Sequence, residues 1–304
     1  MNGVLIIDKP SGLTSHDVVN RVRRALQQRA VGHLGTLDPL ATGVLPLVIG
    51  NLTRLAQFYT ASEKVYEGVI RFGFATDTYD ADGAPTAPEQ KPEVSLKELR
   101  AMSSRFRGFI EQVPPPFSAK KIRGVPAYKL ARKHKEVLLK PIQTEIKELE
   151  IPEFDGIRAS FRARVASGTY MRSVAHDMGQ QLGCGAHLES LRRTQLAEFE
   201  LADAHMLEEL DAAAQSAEIE DLFVHPRKLL PQFPSVSANE EMTSRIRSGR
   251  TVNLPELSRA KQVKVFSGQR ELIAIATRVA GTLFHPKIVL STDTTAQLAN
   301  SRGR

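Results

Sequence analysis

From Thr194 to Pro226 the chain has no lysine or arginine, and among its 304 residues it has one cysteine, Cys184. A single cysteine allows no intramolecular disulfide and no multi-cysteine zinc site. No apolar run reaches the roughly 18 residues that a membrane-spanning helix needs. The N-terminus lacks the basic-then-apolar pattern of a secretory signal. The expectation is a cytoplasmic protein without a membrane partner. There is also no serine-nucleophile elbow, no phosphate-binding glycine loop of the usual spacing and no metal-ligand cluster. One near miss is Asp80, Asp82, Gly83 and Glu89, which stand at calcium-loop positions. Thr78 replaces the first aspartate there, and Pro85 and Pro88 obstruct the exit helix, so a polar turn is expected instead. No metal and no cofactor are expected.

Charge is abundant but segregated. Lys plus Arg number 41 against 34 Asp plus Glu, a formal charge of +7, with 41% hydrophobic and 25% charged residues overall. That composition suits a folded protein with about two domains and a tendency toward polyanionic partners. Nine acids fall between Glu198 and Asp221, whereas Ser118 to Lys140 holds eight basic residues and one acid. A basic run is often only a solvated face. Here Phe117, Tyr128 and the stiff Pro114–Pro115–Pro116 interleave with Lys120, Lys121, Arg123, Arg132 and Lys133, a combination suited to gripping folded RNA.

The most informative stretch is Val31 to Gly50, VGHLGTLDPLATGVLPLVIG, with one carboxylate, one imidazole and no other ionisable group. Asp38 is surrounded by leucines and valines, where a carboxylate is costly to keep ionised unless a cation or donors hold it. Local pattern by itself favours a helix N-cap at Asp38, with Pro39 as the first helical residue and Gly43 as the stop, a reading compatible with a reactive carboxylate.

Periodicity predicts a strand over Gly3 to Asp8 and then a helix capped by Thr14 and Asp17, with Val18, Val19, Val22 and Leu26 on one face. Leu52, Leu55, Ala56 and Tyr59 mark a second amphipathic turn. Val65 to Phe74 reads as a strand. Ser95 and Glu98 form a capping box before a helix closed by Gly108. Ile157 to Val165 alternates apolar and basic residues, as a half-buried strand would. Met171 to Leu182 reads as a helix stopped by Gly183. Pro231 to Ser237 reads as a linker, followed by a helix over Asn239 to Ser248 and strands near Gln262–Ser267, Glu271–Val279 and Thr282–Leu290. The fold class expected is α+β: helices packed on a mixed, mainly antiparallel sheet over residues 1–232, then a small β-rich unit over residues 235–304.

Five blocks carry a resemblance. The core Gly-His-x-Gly-x-Leu-Asp-Pro-x-Ala-x-Gly from Gly32 to Gly43 resembles the central motif of the bacterial TruB-type tRNA pseudouridine-55 synthases. NGVLIIDKPSGLTSHD, KVYEGVIRFGFATDTYDADG, QVPPPFSAKKIRGVPAYKLAR and SGTYMRSVAHDMGQQLGCGAHLESLRR are similar to four further family blocks, in the family's order. Together they span most of the first 193 residues.

The resemblance implies the pseudouridine synthase catalytic fold, with an RNA-gripping insertion near residues 112–140 and a PUA-like RNA-binding domain at the C-terminus. It implies a catalytic aspartate, Asp38, acting on uridine 55 in the T loop of tRNA after the base is flipped out. Arg172 then pairs with Asp38, and Tyr66 stacks on the base and serves in proton transfer. His33, Tyr170 and Leu191 hold the substrate, while Lys9–Pro10 has a structural role behind the catalytic loop. No obligatory protein partner is implied, and a monomer is expected. Two rivals stay open, a noncatalytic tRNA-binding or tRNA-folding protein on the same scaffold and a guide-RNA-dependent relative.

Overall fold

The computed structural model describes residues 1–118, 121–122, 125–126, 139–216, 218–256 and 258–290, with residues 121–122 and 125–126 described for their backbone alone. Lys120, Arg123, Arg132 and Lys133 lie outside the described residues, and of Lys121 only the backbone is described.

The larger sheet has nine strands: β1 (Gly3–Lys9), β2 (Val31–His33), β3 (Thr42–Ile49), β4 (Lys64–Phe72), β5 (Gly108–Gln112), β8 (Ile142–Glu150), β9 (Arg158–Val165), β10 (Ala186–Leu196) and β11 (Phe199–Glu200). A separate two-stranded hairpin is formed by β6 (Lys121–Ile122) and β7 (Val125–Pro126). The large sheet runs β1-β3-β10-β4-β9-β8-β5, with β2 on β3 and β11 on β10. All these pairs are antiparallel except β10 with β3.

Helices α1 (Ser15–Ala25), α2 (Leu96–Ser103), α3 (Met171–Leu182) and α4 (Leu207–Ser216) accompany this sheet. The first two begin at the expected capping boxes, Thr14 with Asp17 and Ser95 with Glu98. Gly183 ends α3 in the left-handed region, at φ 73°.

A five-stranded sheet follows: β12 (Ser235–Ala238), β13 (Val252–Asn253), β14 (Gln262–Ser267), β15 (Glu271–Ala280) and β16 (Leu283–Val289), in the order β12-β14-β15-β16-β13. Helix α5 (Glu240–Arg247) is capped by Asn239. The segment read as a linker thus contributes β12, which pairs parallel with β14.

Alternation along β1 explains why its sequence is continuously apolar. Leu5 and Ile7 face a core shared with α1, α3 and α4. Val4 and Ile6 face the opposite way, into a cluster shared with Leu52, Leu55 and Tyr59, with Phe266, Ile275 and Ile288 from the smaller sheet, and with Leu290 just after it. Successive residues of a strand point to opposite faces, so a strand covered on both sides must be apolar at every position. The N-cap reading of Asp38 fails. Thr42 starts strand β3, and Asp38 to Ala41 forms a turn closed by Ala41 N–H donating to Asp38 O at 3.1 Å.

Candidate active site

The loop between β2 and β3 is held from behind by buried polar groups. Lys9, fully buried, donates from Nζ to the carbonyls of Pro10, Leu13 and Pro39 at 2.8, 2.6 and 3.2 Å. Ser15 Oγ both accepts from Leu37 N–H at 2.8 Å and donates to Leu37 O at 3.1 Å. Arg193, also fully buried, donates to Val44 O at 2.7 Å, Gly35 O at 3.0 Å and Thr36 O at 3.5 Å. Gly43, at φ 98°, lets β3 approach β10, because a Cβ there would stand 2.2 Å from Arg193 O. The loop is therefore fixed at both ends of Asp38.

Asp38 opens onto a cavity of about 280 Å³ lined also by Lys64, Tyr66, Ser118, Tyr170, Arg172 and Leu191. Its side chain keeps 37% of its surface, whereas Arg172 keeps 6% and Asp80 keeps 8%. Arg172 Nε lies 2.9 Å from Asp38 Oδ2, and Nη1 lies 3.3 Å from Asp80 Oδ2. The Nε–H is not aimed along its contact, so that contact is an ion pair more than a directed hydrogen bond. The guanidinium also donates to Thr78 O at 3.3 Å and Phe117 O at 3.1 Å.

Arg172 sits in the first turn of α3, where the helix dipole disfavours a cation. Two flanking carboxylates offset that cost. Burial pushes the Asp38 carboxyl above the usual carboxylate range, Arg172 pulls it back, and the charge of Asp80 pushes it up again.

Asp80 is aimed by the turn that follows β4. Tyr79 adopts a left-handed φ of 66°, and its ring stacks on His176 at 3.7 Å. Thr78 Oγ1 donates to Asp80 Oδ1 at 2.5 Å, and Asp82 N–H donates to the same oxygen at 3.2 Å.

Tyr66 and Arg193 are cross-strand partners on β4 and β10. Burial pulls the Arg193 guanidinium down from its usual range, and the Tyr66 hydroxyl beside it opposes that. Around this pair the β10 register shifts twice, between Leu188 and Ser190 and between Arg193 and Gln195. Such irregularities re-aim side chains, here Leu191 into the cavity. Tyr170 is fixed by Gln112, which accepts from Tyr170 N–H at 2.8 Å and donates to Tyr170 O at 3.0 Å.

The structure thus gathers Asp38, Tyr66, Arg172, Tyr170 and Leu191 around one cavity. His33, at the end of β2, is not among its lining residues. Burial lowers its pKa, and its buried Nδ1 has no hydrogen-bond partner among the described residues. A larger open groove of about 510 Å³ adjoins the cavity through Leu191 but lacks Asp38.

Residues 23–171 match the TruB family pseudouridylate synthase N-terminal domain, and residues 172–230 match the tRNA pseudouridylate synthase B C-terminal domain. A tRNA pseudouridine synthase B of Solibacter usitatus is 49% identical over 293 residues, covering 95% of this chain and 100% of that protein. This chain belongs to the TruB family of pseudouridylate synthases. A TruB relative from Aquifex aeolicus is 39% identical over 293 residues, covering 95% of this chain and 100% of its own length. The fold extends beyond the bacterial TruB proteins. The crystal structure of an archaeal box H/ACA sRNP Nop10-Cbf5 complex superposes with a TM-score of 0.68 at 24% identity, covering 96% of this chain and 87% of that one.

Within this TruB chain, sequence reasoning missed two residues. The sequence marks Asp80 only as part of a polar turn, and in the fold that turn presents Asp80 to Arg172. Arg193 was one of two adjacent arginines, and strand alternation placing it on the face of Leu191 was the available signal. Among the described residues no cluster of His, Cys, Asp or Glu has the arrangement of a metal site. Nor is any helix there long and apolar enough to cross a membrane.

Proposed function

We propose that this chain isomerises uridine 55 in the T loop of tRNAs to pseudouridine, with Asp38 acting on a nucleotide flipped out of its stack into the cavity. The observation that supports this best is the asymmetry of the two carboxylates on Arg172. Asp80 is enclosed, and Asp38 alone is open to the cavity. The N1–C1′ bond breaks, the base turns, and the C5–C1′ bond forms. C5 loses a proton and N1 gains one, so atoms and electrons balance without a co-reactant. Asp38 supplies the carboxylate, and Arg172 favours its ionised form. Tyr66 is assigned the stacking contact with the base and, through its hydroxyl, the proton transfer. Tyr170 and Leu191 pack the remaining walls, and His33 supports the loop and a nucleotide at the cavity mouth.

The T arm of tRNA is the expected partner, in keeping with relatives that are tRNA pseudouridine synthases and with the +7 charge. Lys120, Lys121, Arg123, Arg132 and Lys133 are proposed to contact its phosphates. Residues 1–232 are read as the catalytic domain and residues 235–304 as a PUA-like RNA-binding domain. The protein is read as a monomer working in the cytoplasm without an obligatory protein partner. Purified protein, an unmodified tRNA transcript and no added cofactor should give pseudouridine at position 55 on a mapped readout. Binding without product would favour the noncatalytic tRNA-folding alternative.

A further inference from the structure

Three buried cations without a carboxylate partner surround the catalytic loop: Lys9, Arg193 and Lys64. The first two direct their N–H groups to loop carbonyls, three each. Lys64 differs. It is 9% exposed, and among the described residues its Nζ has one hydrogen bond, to Ser62 O at 2.7 Å. An ammonium has three N–H donors, so this one retains donors that no group among the described residues takes up. Lys64 also lines the same cavity as Asp38 and Tyr66, whereas Lys9 and Arg193 do not. A buried ammonium with unused donors is costly when the site is empty, and an entering anion would remove that cost.

Position narrows the anion. Lys64 and Tyr66 are two residues apart on β4 and share a face, about 6.6 Å apart along the strand. If the uracil stacks on Tyr66 and C1′ faces Asp38, the sugar–phosphate backbone must leave along the cavity wall. Neutral uracil offers no full negative charge, and each flanking phosphodiester offers one. The Arg193 guanidinium adds positive potential there, since it and burial together push the Lys64 ammonium down to about 8. At neutral pH Lys64 therefore remains mostly protonated.

We infer that Lys64 binds a phosphodiester flanking the flipped uridine, seating the backbone of the nucleotide while Tyr66 seats its base. This rests on the pseudouridine reading and adds a substrate contact to it. The test uses an unmodified T-arm hairpin and two versions with a neutral methylphosphonate, one at the linkage 5′ of the target uridine and one at the linkage 3′ of it.

With wild-type protein, one of the two substitutions should weaken binding about tenfold or more. Lys64→Met should bind the all-phosphate hairpin about as weakly and lose nothing further with that methylphosphonate. Its single-turnover rate at saturating RNA should stay within a few-fold of wild type. Lys64→Arg retains the charge and should retain the linkage penalty, which keeps the test decisive should Lys64→Met melt early.

Indifference of wild type to both linkages overturns the inference. So does a penalty that persists in Lys64→Met, a penalty absent from Lys64→Arg, or a fall in saturating rate at unchanged affinity, which would put Lys64 in the chemistry. Product formation alongside any of these leaves the pseudouridine reading standing. Absence of product with wild type sinks that reading and this inference together.

Discussion

Arg172 and Arg193 stand on either side of the same loop, both buried, and they are satisfied in opposite ways. Arg172 meets two carboxylates, Asp38 and Asp80, at the N-terminus of α3. Arg193 meets no carboxylate among the described residues: it donates to the carbonyls of Gly35, Thr36 and Val44 and lies beside the Tyr66 hydroxyl. Around Arg172, two carboxylates share one guanidinium, so removing Arg172 or Asp80 changes how Asp38 titrates. Around Arg193, direction matters more than balance, because carbonyl dipoles fix the loop and leave the positive charge uncompensated. One region tunes a carboxylate, and the other positions it beside a wall attractive to a polyanion.

The sharpest break of this division is Asp38→Asn, which removes the charge and keeps the size. Turnover should fall at least about a thousandfold. tRNA affinity should stay within a few-fold, because phosphate contacts dominate it. A near-wild-type rate measured by pseudouridine mapping would reduce the whole Arg172 cluster to a structural feature.

Next in size are the partners of Asp38. Arg172→Met removes the cation that holds down the Asp38 pKa, so activity at neutral pH should drop about a hundredfold and recover in part as pH rises. Asp80→Asn should move the acid limb of the kcat profile the other way, to lower pH, since the Asp80 charge pushes Asp38 up. Tyr66→Phe keeps the stacking ring, so binding should survive, while turnover drops about a hundredfold with no recovery on raising the pH. Parallel pH profiles for Arg172→Met and Tyr66→Phe would erase the distinction between tuning and proton transfer.

On the Arg193 side the effect should appear in stability. Arg193→Met leaves three loop carbonyls without their donor and should destabilise the fold by about 2–4 kcal/mol. Thermal melting would show a lower Tm, with activity lost equally at every pH. An unchanged melt would mean that the loop holds itself.

The smallest expected effect belongs to Lys9. Burial pushes its ammonium down to about 8, against 10.5 for a free lysine. Between those values the unfolded chain binds more protons than the folded one, so this contribution to stability rises with pH from about 8 to 10.5. Below about 8 the full cost of the buried charge is present. The difference in unfolding free energy between wild type and Lys9→Met should show that slope, measured by urea titration across the window. A flat difference would remove Lys9 from the titrating set.

Several elements were legible because their causes are local. The Thr14–Asp17 and Ser95–Glu98 capping boxes start α1 and α2, and the alternation from Arg158 to Val165 reads directly as one buried and one basic face. The strands near residues 262–290 were found within a few positions. β3 was not found. Its run of apolar residues lacks alternation because both faces are covered, one of them in part by residues more than 200 positions later. β12 was hidden in a proline-containing linker, and only its pairing with β14 makes it a strand.

For the site, residue chemistry and family blocks identify Asp38, Tyr66, Tyr170, Arg172 and Leu191 from the sequence alone, and the structure gathers all five at one cavity. The placement of His33 outside that cavity, the second carboxylate on Arg172 and the carbonyl clamp of Arg193 were decided only by tertiary structure. The physical reason is range. A cap or an alternating strand is specified by neighbours a few residues away. The ionisation of Asp38 depends on charges brought in from positions 80 and 172, and its orientation on a guanidinium from position 193.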